Sequence, residues 1–260
     1  MSDLSDRLVI CSLENCLGPG KEWLPSDKTA AKLYAMMGGK LVLETKNGPE
    51  YARKHWEALG LDTPVLCWQG NWLYSYTFGG ICGGNALPKK EMRALVRDIL
   101  EAFPTVGVSI LCPNGEQYLP RMNRLAHAYL KDEKAAWVLG ELDAAPVPWY
   151  KVTLFAEPAL FRKIRMYLAE KDFQDYRLEQ DALRMQIYPK ELGRLYTVEK
   201  LWELMRIKPE NTYWLGGKGL PRELLEKMGA SAPGEMPAEK VVRASAEGCL
   251  GELLYALSKG

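Results

Sequence analysis

Histidine is close to absent from this chain: His55 and His127 are the only two in 260 residues. Histidine-rich metal centres and serine–histidine–aspartate hydrolases therefore have almost no raw material. No apolar run approaches the roughly 20 residues that a membrane span needs, and the polar start Met1–Asp6 does not read as a signal peptide. No membrane partner and a cytoplasmic address are expected. Charge of one sign is not in excess either. A formal net charge of +1 offers no basic face to a nucleic-acid backbone, which argues against nucleic acid as a partner. The six cysteines include no Cys-x-x-Cys pair. They are expected as free thiols, with Cys11 and Cys67 as small core residues.

What is present is the material of a packed domain: 47% hydrophobic residues, 26% charged residues and eight tryptophans. The first third alternates strand and helix. Strands are predicted over Arg7–Leu13, Lys40–Thr45 and Pro64–Trp68, and helices over Ser26–Met37 and Pro49–Leu59. Ser26 and Asp27 are candidate caps, and Gly38-Gly39 a stop. This βαβαβ rhythm implies a parallel sheet with right-handed crossovers. It breaks at Gly79–Asn85, a glycine-rich stretch without a Walker ending, which reads as a hinge or hairpin. Beyond it, helices are predicted at Pro88–Ala102, near Pro120–Leu130 and at Pro158–Glu170. Strands are predicted at Val106–Leu111, Lys151–Phe155, Tyr176–Glu179 and Leu183–Tyr188, with an Asn114-Gly115 hairpin turn. After Pro189 the α/β rhythm returns: helix Tyr196–Met205, strand Asn211–Leu215, short helix Pro221–Met228 and closing helix Gly248–Leu257. The expected architecture is a discontinuous Rossmann-like α/β core, residues 1–83 and 189–260, with an inserted α+β cap at 84–188. An insertion of this kind suggests a lid over a cleft.

The strand Val9-Ile10-Cys11 ends in Ser12-Leu13-Glu14-Asn15-Cys16, where α/β proteins usually keep their chemistry. Three further runs carry a resemblance. Leu59-Gly60-Leu61-Asp62-Thr63-Pro64-Val65-Leu66-Cys67-Trp68-Gln69-Gly70, Met185-Gln186-Ile187-Tyr188-Pro189-Lys190 and Lys208-Pro209-Glu210-Asn211-Thr212-Tyr213-Trp214-Leu215-Gly216 stand in the order and spacing of a known family. With them, the chain resembles the haloacid-dehalogenase-like superfamily, in particular its Cof-type sugar-phosphatase branch, over nearly its full length. The resemblance implies phosphate-ester hydrolysis. In that family an aspartate nucleophile and an acid/base aspartate lie in a D-x-D-G-T loop, a threonine or serine and a lysine hold the phosphoryl group, and a G-D-x-x-N-D loop helps hold Mg²⁺.

Carried onto this sequence, the resemblance puts Ser12 at the nucleophile and Glu14 at the acid/base. Ser12 has no adjacent base in sequence to activate it, and Glu14 is a methylene longer than aspartate, a displacement of about 1 Å to which catalysis is sensitive. Thr45 matches the phosphate-binding threonine, with Lys46-Asn47 following it. Arg194 corresponds to the cationic position, Lys190 being the alternative. Gly217, Leu220 and Pro221 replace the aspartate, asparagine and aspartate of the metal loop, and Lys218 adds a cation there. A site that should offer about four carboxylates to a hard cation keeps Glu14 alone. Mg²⁺ is expected of the family, yet its ligands are missing here, so no cofactor is expected.

The expectation is thus a catalytically silent phosphatase relative that binds a small anionic or phosphorylated molecule, or a partner, with Thr45, Arg194, Lys46 and Lys218 as the anion-binding set. Two other readings stay open: an active hydrolase using a group such as Glu14, and a purely structural role. Strand alternation puts Glu44 on the face opposite Thr45, where a structural part is expected.

Overall fold

The computed structural model describes residues 3–17, 20–133, 135–171, 176–217, 219–229 and 249–259, with the backbone alone of 241–242. The chain divides into two units, Met1–Gly84 with Gly193–Gly260, and Asn85–Leu192.

The first unit opens with β1 (Leu8–Ser12), the one-turn α1 (Leu13–Cys16), α2 (Pro25–Met36), β2 (Lys40–Glu44), α3 (Pro49–Leu59) and β3 (Val65–Cys67). Two further strands, β4 (Trp72–Ser75) and β5 (Gly80–Gly83), form an antiparallel hairpin across the glycine-rich stretch. All five residues of β1 are buried, as a parallel strand covered on both faces requires. α3 shows why its bounds are sharp: Pro49 stands in its first turn, and Gly60 takes the left-handed conformation (φ 64°) just past its end. At the start of α2 the cap differs from expectation. Ser26 makes no capping bond; Asp27 accepts from the Leu24 N–H at 3.1 Å instead.

The second unit contains α4 (Lys89–Ala102), β6 (Gly107–Leu111), β7 (Gln117–Arg121), α5 (Arg124–Asp132), β8 (Trp137–Leu139), β9 (Lys151–Phe155), α6 (Pro158–Glu170), β10 (Tyr176–Gln180) and β11 (Arg184–Pro189). Its six strands lie in the order β10-β11-β9-β6-β7-β8. One sheet face carries Val108, Ile110, Val152, Leu154, Met185 and Ile187 against Met92, Val96 and Ile99 of α4 and Phe161 and Ile164 of α6. On the other face Leu119 and Phe155 meet Ala126 and Leu130 of α5. The segment near Pro120 is strand where helix was expected. Pro120 lies in β7, which pairs with β6 through an irregular register; helix begins at Arg124, capped by Asn123.

The chain returns to the first unit with α7 (Arg194–Met205), β12 (Thr212–Leu215), α8 (Arg222–Lys227), β13 (Val241–Val242) and α9 (Cys249–Lys259). The seven-stranded sheet runs β13-β12-β1-β2-β3-β4-β5, with parallel pairing from β13 through to β3. Its residues alternate strictly between faces. Val9, Cys11, Leu41 and Leu43 pack with Ala31, Tyr34, Ala52 and Leu254 of the helices on one side. Leu8, Ile10, Val42 and Trp214 pack with Val198, Leu201 and Leu224 on the other. No helix among the described residues is long and apolar enough to cross a membrane.

Candidate functional site

Parallel pairing aligns the C-terminal ends of β1, β2 and β12, and that edge is where open α/β sheets hold ligands. The register sets Ser12 beside Glu44. Both continue the alternation of Leu8, Ile10 and Val42, so both face the side on which α7 packs. Arg194 is the first residue of α7. Its guanidinium forms an ion pair with Glu44 at 2.7 Å and reaches the Gln69 carbonyl at 3.3 Å. The Ser12 hydroxyl donates to the Glu44 carboxylate and accepts from the Trp214 indole N–H at 3.1 Å. Ser12 is 3% exposed and Glu44 4%. The Glu44 carboxylate is committed to the guanidinium, and a serine with both hydrogen-bonding roles taken is not poised to attack.

A second cluster lies on the far side of the same strand ends. Glu14 Oε1 accepts three bonds at once, from the Thr45 hydroxyl at 2.5 Å, the Lys46 backbone N–H at 2.9 Å and the Asn47 side-chain amide at 3.1 Å. The loop that supplies them is tied down by backbone bonds from Trp68 to Asn47 (2.9 Å) and from Gln69 to Thr45 (3.0 Å). Trp68 and Gln69 adopt the left-handed conformation, with φ of 51° and 63°. Thr45 is fully buried; the Lys46 side chain is exposed.

The loop after β12 closes the site. Asn15 donates to the Gly216 carbonyl at 2.6 Å, and Gly216 has φ 72°, with a Cβ there only 2.8 Å from the Asn15 Cβ. Only glycine lets the two loops approach this closely. At Gly217, a Cβ would lie 2.9 Å from both the Leu220 and Trp214 side chains. The space an acidic side chain would need is thus filled by the tryptophan that bonds Ser12. Among the described residues no group of three histidine, cysteine or acidic side chains is placed to hold a metal. Of the two carboxylates at the strand ends, Glu44 is matched by Arg194 and Glu14 by three donors. This donor set does not fit Mg²⁺, which needs near-octahedral oxygen ligation.

Ser12, Glu14, Thr45, Lys46 and Arg194 therefore meet at one sheet edge, Gly217, Leu220 and Pro221 come after β12, and Lys218 lies outside the described residues. Arg194 holds a cation at the site, and its partner is a carboxylate of the protein itself. Sequence reasoning missed three members: Glu44, Asn47 and Trp214. Glu44 did carry a signal, because an acidic residue ending the apolar run Leu41-Val42-Leu43 calls for a cationic partner once buried. Its alternation was read correctly, but the face it points to belongs to the site too. Cys11 and Cys16 lie 3.3 Å apart, and the bond to Cys11 together with burial pushes the Cys16 thiol far up. His55 is buried edge-on to Trp23, and burial lowers its pKa.

A largely parallel sheet interrupted by an α+β unit, with polar side chains gathered at the ends of its first two strands, is an α/β core with an insertion. A family model for haloacid dehalogenase-like hydrolases matches residues 17–232. The chain belongs to that family. The matched residues begin after Ser12 and Glu14. Among solved structures, TM0651 from Thermotoga maritima is 13% identical with a TM-score of 0.72, over 98% of this chain and 97% of its own. A haloacid dehalogenase-like hydrolase from Bacteroides thetaiotaomicron is 12% identical, TM-score 0.70, over 96% and 99%. The subclass IIB sugar phosphatase BT4131 is 12% identical, TM-score 0.56, over 81% and 80%. These likenesses are of fold. A comparison with curated proteins finds no match.

Proposed function

We propose that this chain is a catalytically silent member of the phosphatase family that binds a small anionic or phosphorylated molecule at the Thr45–Asn47 loop. One observation carries the reading: the two residues that the resemblance puts at the catalytic positions are held by the protein's own groups, Ser12 by Glu44 and Trp214, and one carboxylate oxygen of Glu14 by Thr45, Lys46 and Asn47. Held this way, Ser12 is not poised to attack phosphorus, and Glu14 Oε1 is turned onto the Thr45–Asn47 loop. The donors that hold Glu14 are those an oxyanion needs, a hydroxyl, a backbone N–H and an amide on one rigid loop. Thr45, Lys46 and Asn47 make the ligand contacts in this reading, Lys46 and Lys218 add positive charge, and Arg194 acts as a positioning cation through Glu44.

The test is calorimetric titration with inorganic phosphate, with and without Mg²⁺. Binding in the millimolar range that is indifferent to Mg²⁺ is expected, because the tethered Glu14 competes at an effective concentration of that order. Binding that requires Mg²⁺ overturns the reading.

A further inference from the structure

We infer that Glu14 is a built-in occupant of the oxyanion seat formed by Thr45, Lys46 and Asn47, so that an external oxyanion enters only by displacing it. The inference rests on the proposed reading of that loop as the ligand site, and it adds the device that controls access.

A single oxygen, Glu14 Oε1, gathers three donors within 3.1 Å. That is how a bound ligand oxygen is held, and it uses up every donor the loop presents to this point. The loop is organised in advance. The Asn47 N–H donates to the Thr45 hydroxyl oxygen at 3.1 Å, which turns the hydroxyl hydrogen toward Glu14. The Thr45 N–H is fixed on the Leu66 carbonyl at 2.8 Å. A rigid, fully buried threonine aimed at one point keeps its donors converged when the occupant leaves.

Charge gives the second argument. The guanidinium closest in role, Arg194, is matched to Glu44 instead, so Glu14 is held by dipoles and hydrogen bonds. An arriving phosphate brings more charge and more oxygens to the same neutral donors, and the exposed Lys46 side chain is positioned in sequence to follow it. Anchoring gives the third. α1 is fixed through Leu13, 1% exposed, while Glu14 is only half-buried. Its side chain can therefore swing outward about its own torsions while β1 stays in place.

The consequence is a competition between a carboxylate in cis and an oxyanion in trans. A tethered group on a short link acts at a concentration of about millimolar or above, so native phosphate binding is weakened by a factor of one plus the ratio of that concentration to the dissociation constant of the carboxylate for the seat. Removing the carboxylate lifts the competition.

The experiment titrates inorganic phosphate into the native chain, Glu14→Ala, Glu14→Gln and the double variant Glu14→Ala/Thr45→Val, by calorimetry and by phosphate-dependent shift of the melting transition. The second readout also reports whether each variant is folded. Phosphate affinity at least tenfold tighter in Glu14→Ala than in the native chain is expected, with a smaller gain in Glu14→Gln, whose amide oxygen still accepts, and loss of the gain in the double variant. Equal affinity in the native chain, Glu14→Ala and Glu14→Gln overturns the self-occupied seat while leaving anion binding standing. Absence of binding in every variant overturns the seat itself. Turnover of an aryl phosphate by the native chain would sink the silent reading alone, since occupancy is scored by binding and not by rate.

Discussion

Arg194→Met isolates the buried ion pair that organises the site. Glu44 is 4% exposed and its partner guanidinium sits 2.7 Å away, with that side chain 17% exposed. Removing one partner of a buried pair leaves an uncompensated charge, a loss of about 3–5 kcal/mol when both are fully enclosed. Partial exposure of Arg194 brings in water, so about 2–4 kcal/mol is expected here. The reverse change, Glu44→Gln, leaves the guanidinium with the Gln69 carbonyl and some solvent, and should cost about 1–2 kcal/mol. Arg194→Met/Glu44→Gln removes both charges, so its cost should fall short of the sum of the singles by at least about 1 kcal/mol. Urea unfolding followed by tryptophan fluorescence measures all four proteins. A loss below about 0.5 kcal/mol in Arg194→Met, or strict additivity, would refute the claim that Arg194 is the cation of Glu44.

Lys151, 4% exposed on β9, gives a pH prediction: burial brings its pKa down from 10.5 to about 8. With the folded value below the unfolded one, the folded chain holds fewer protons between them, so this group makes stability rise with pH across that window. The native-minus-Lys151→Met difference in unfolding free energy should climb by up to about 3 kcal/mol from pH 8 to pH 10.5, and a flat difference would contradict burial of the charge. Gly216→Ala, forced into a positive φ and against Asn15, should lower stability by more than about 1 kcal/mol in thermal melts; a neutral result would show that the two loops do not meet. Gly217→Asp should create no Mg²⁺ site in a calorimetric titration, because Trp214 and Leu220 already fill the space.

Local chemistry made much of the fold legible. Pro49–Leu59 and Pro158–Glu170 match at both ends because proline opens each helix, and Lys151–Phe155 matches because its alternation serves two packed faces. Several short strands escaped, two of them for clear reasons. Trp72–Ser75 is too short and too uniformly apolar to show a period, and Trp137–Leu139 is exposed throughout, so no burial pattern marks it.

At the site, the strand ends were legible and their pairings were not. Ser12, Glu14 and Thr45 stand where apolar runs stop, which is a local signal. The Glu44–Arg194 pair and the Trp214–Ser12 bond join residues far apart in sequence, and only the parallel register and the face on which α7 packs bring them together. The sequence also suggested an open anion pocket of free cations. The structure matches the cation Arg194 and the donors around Thr45 with the protein's own carboxylates.

The most direct measurement of the central claim is steady-state turnover of a generic aryl phosphate by the native chain in millimolar Mg²⁺. A site whose Ser12 and Glu14 are both engaged by the protein predicts a rate equal to the buffer blank. Turnover that Glu14→Gln abolishes and Ser12→Ala leaves untouched would contradict it.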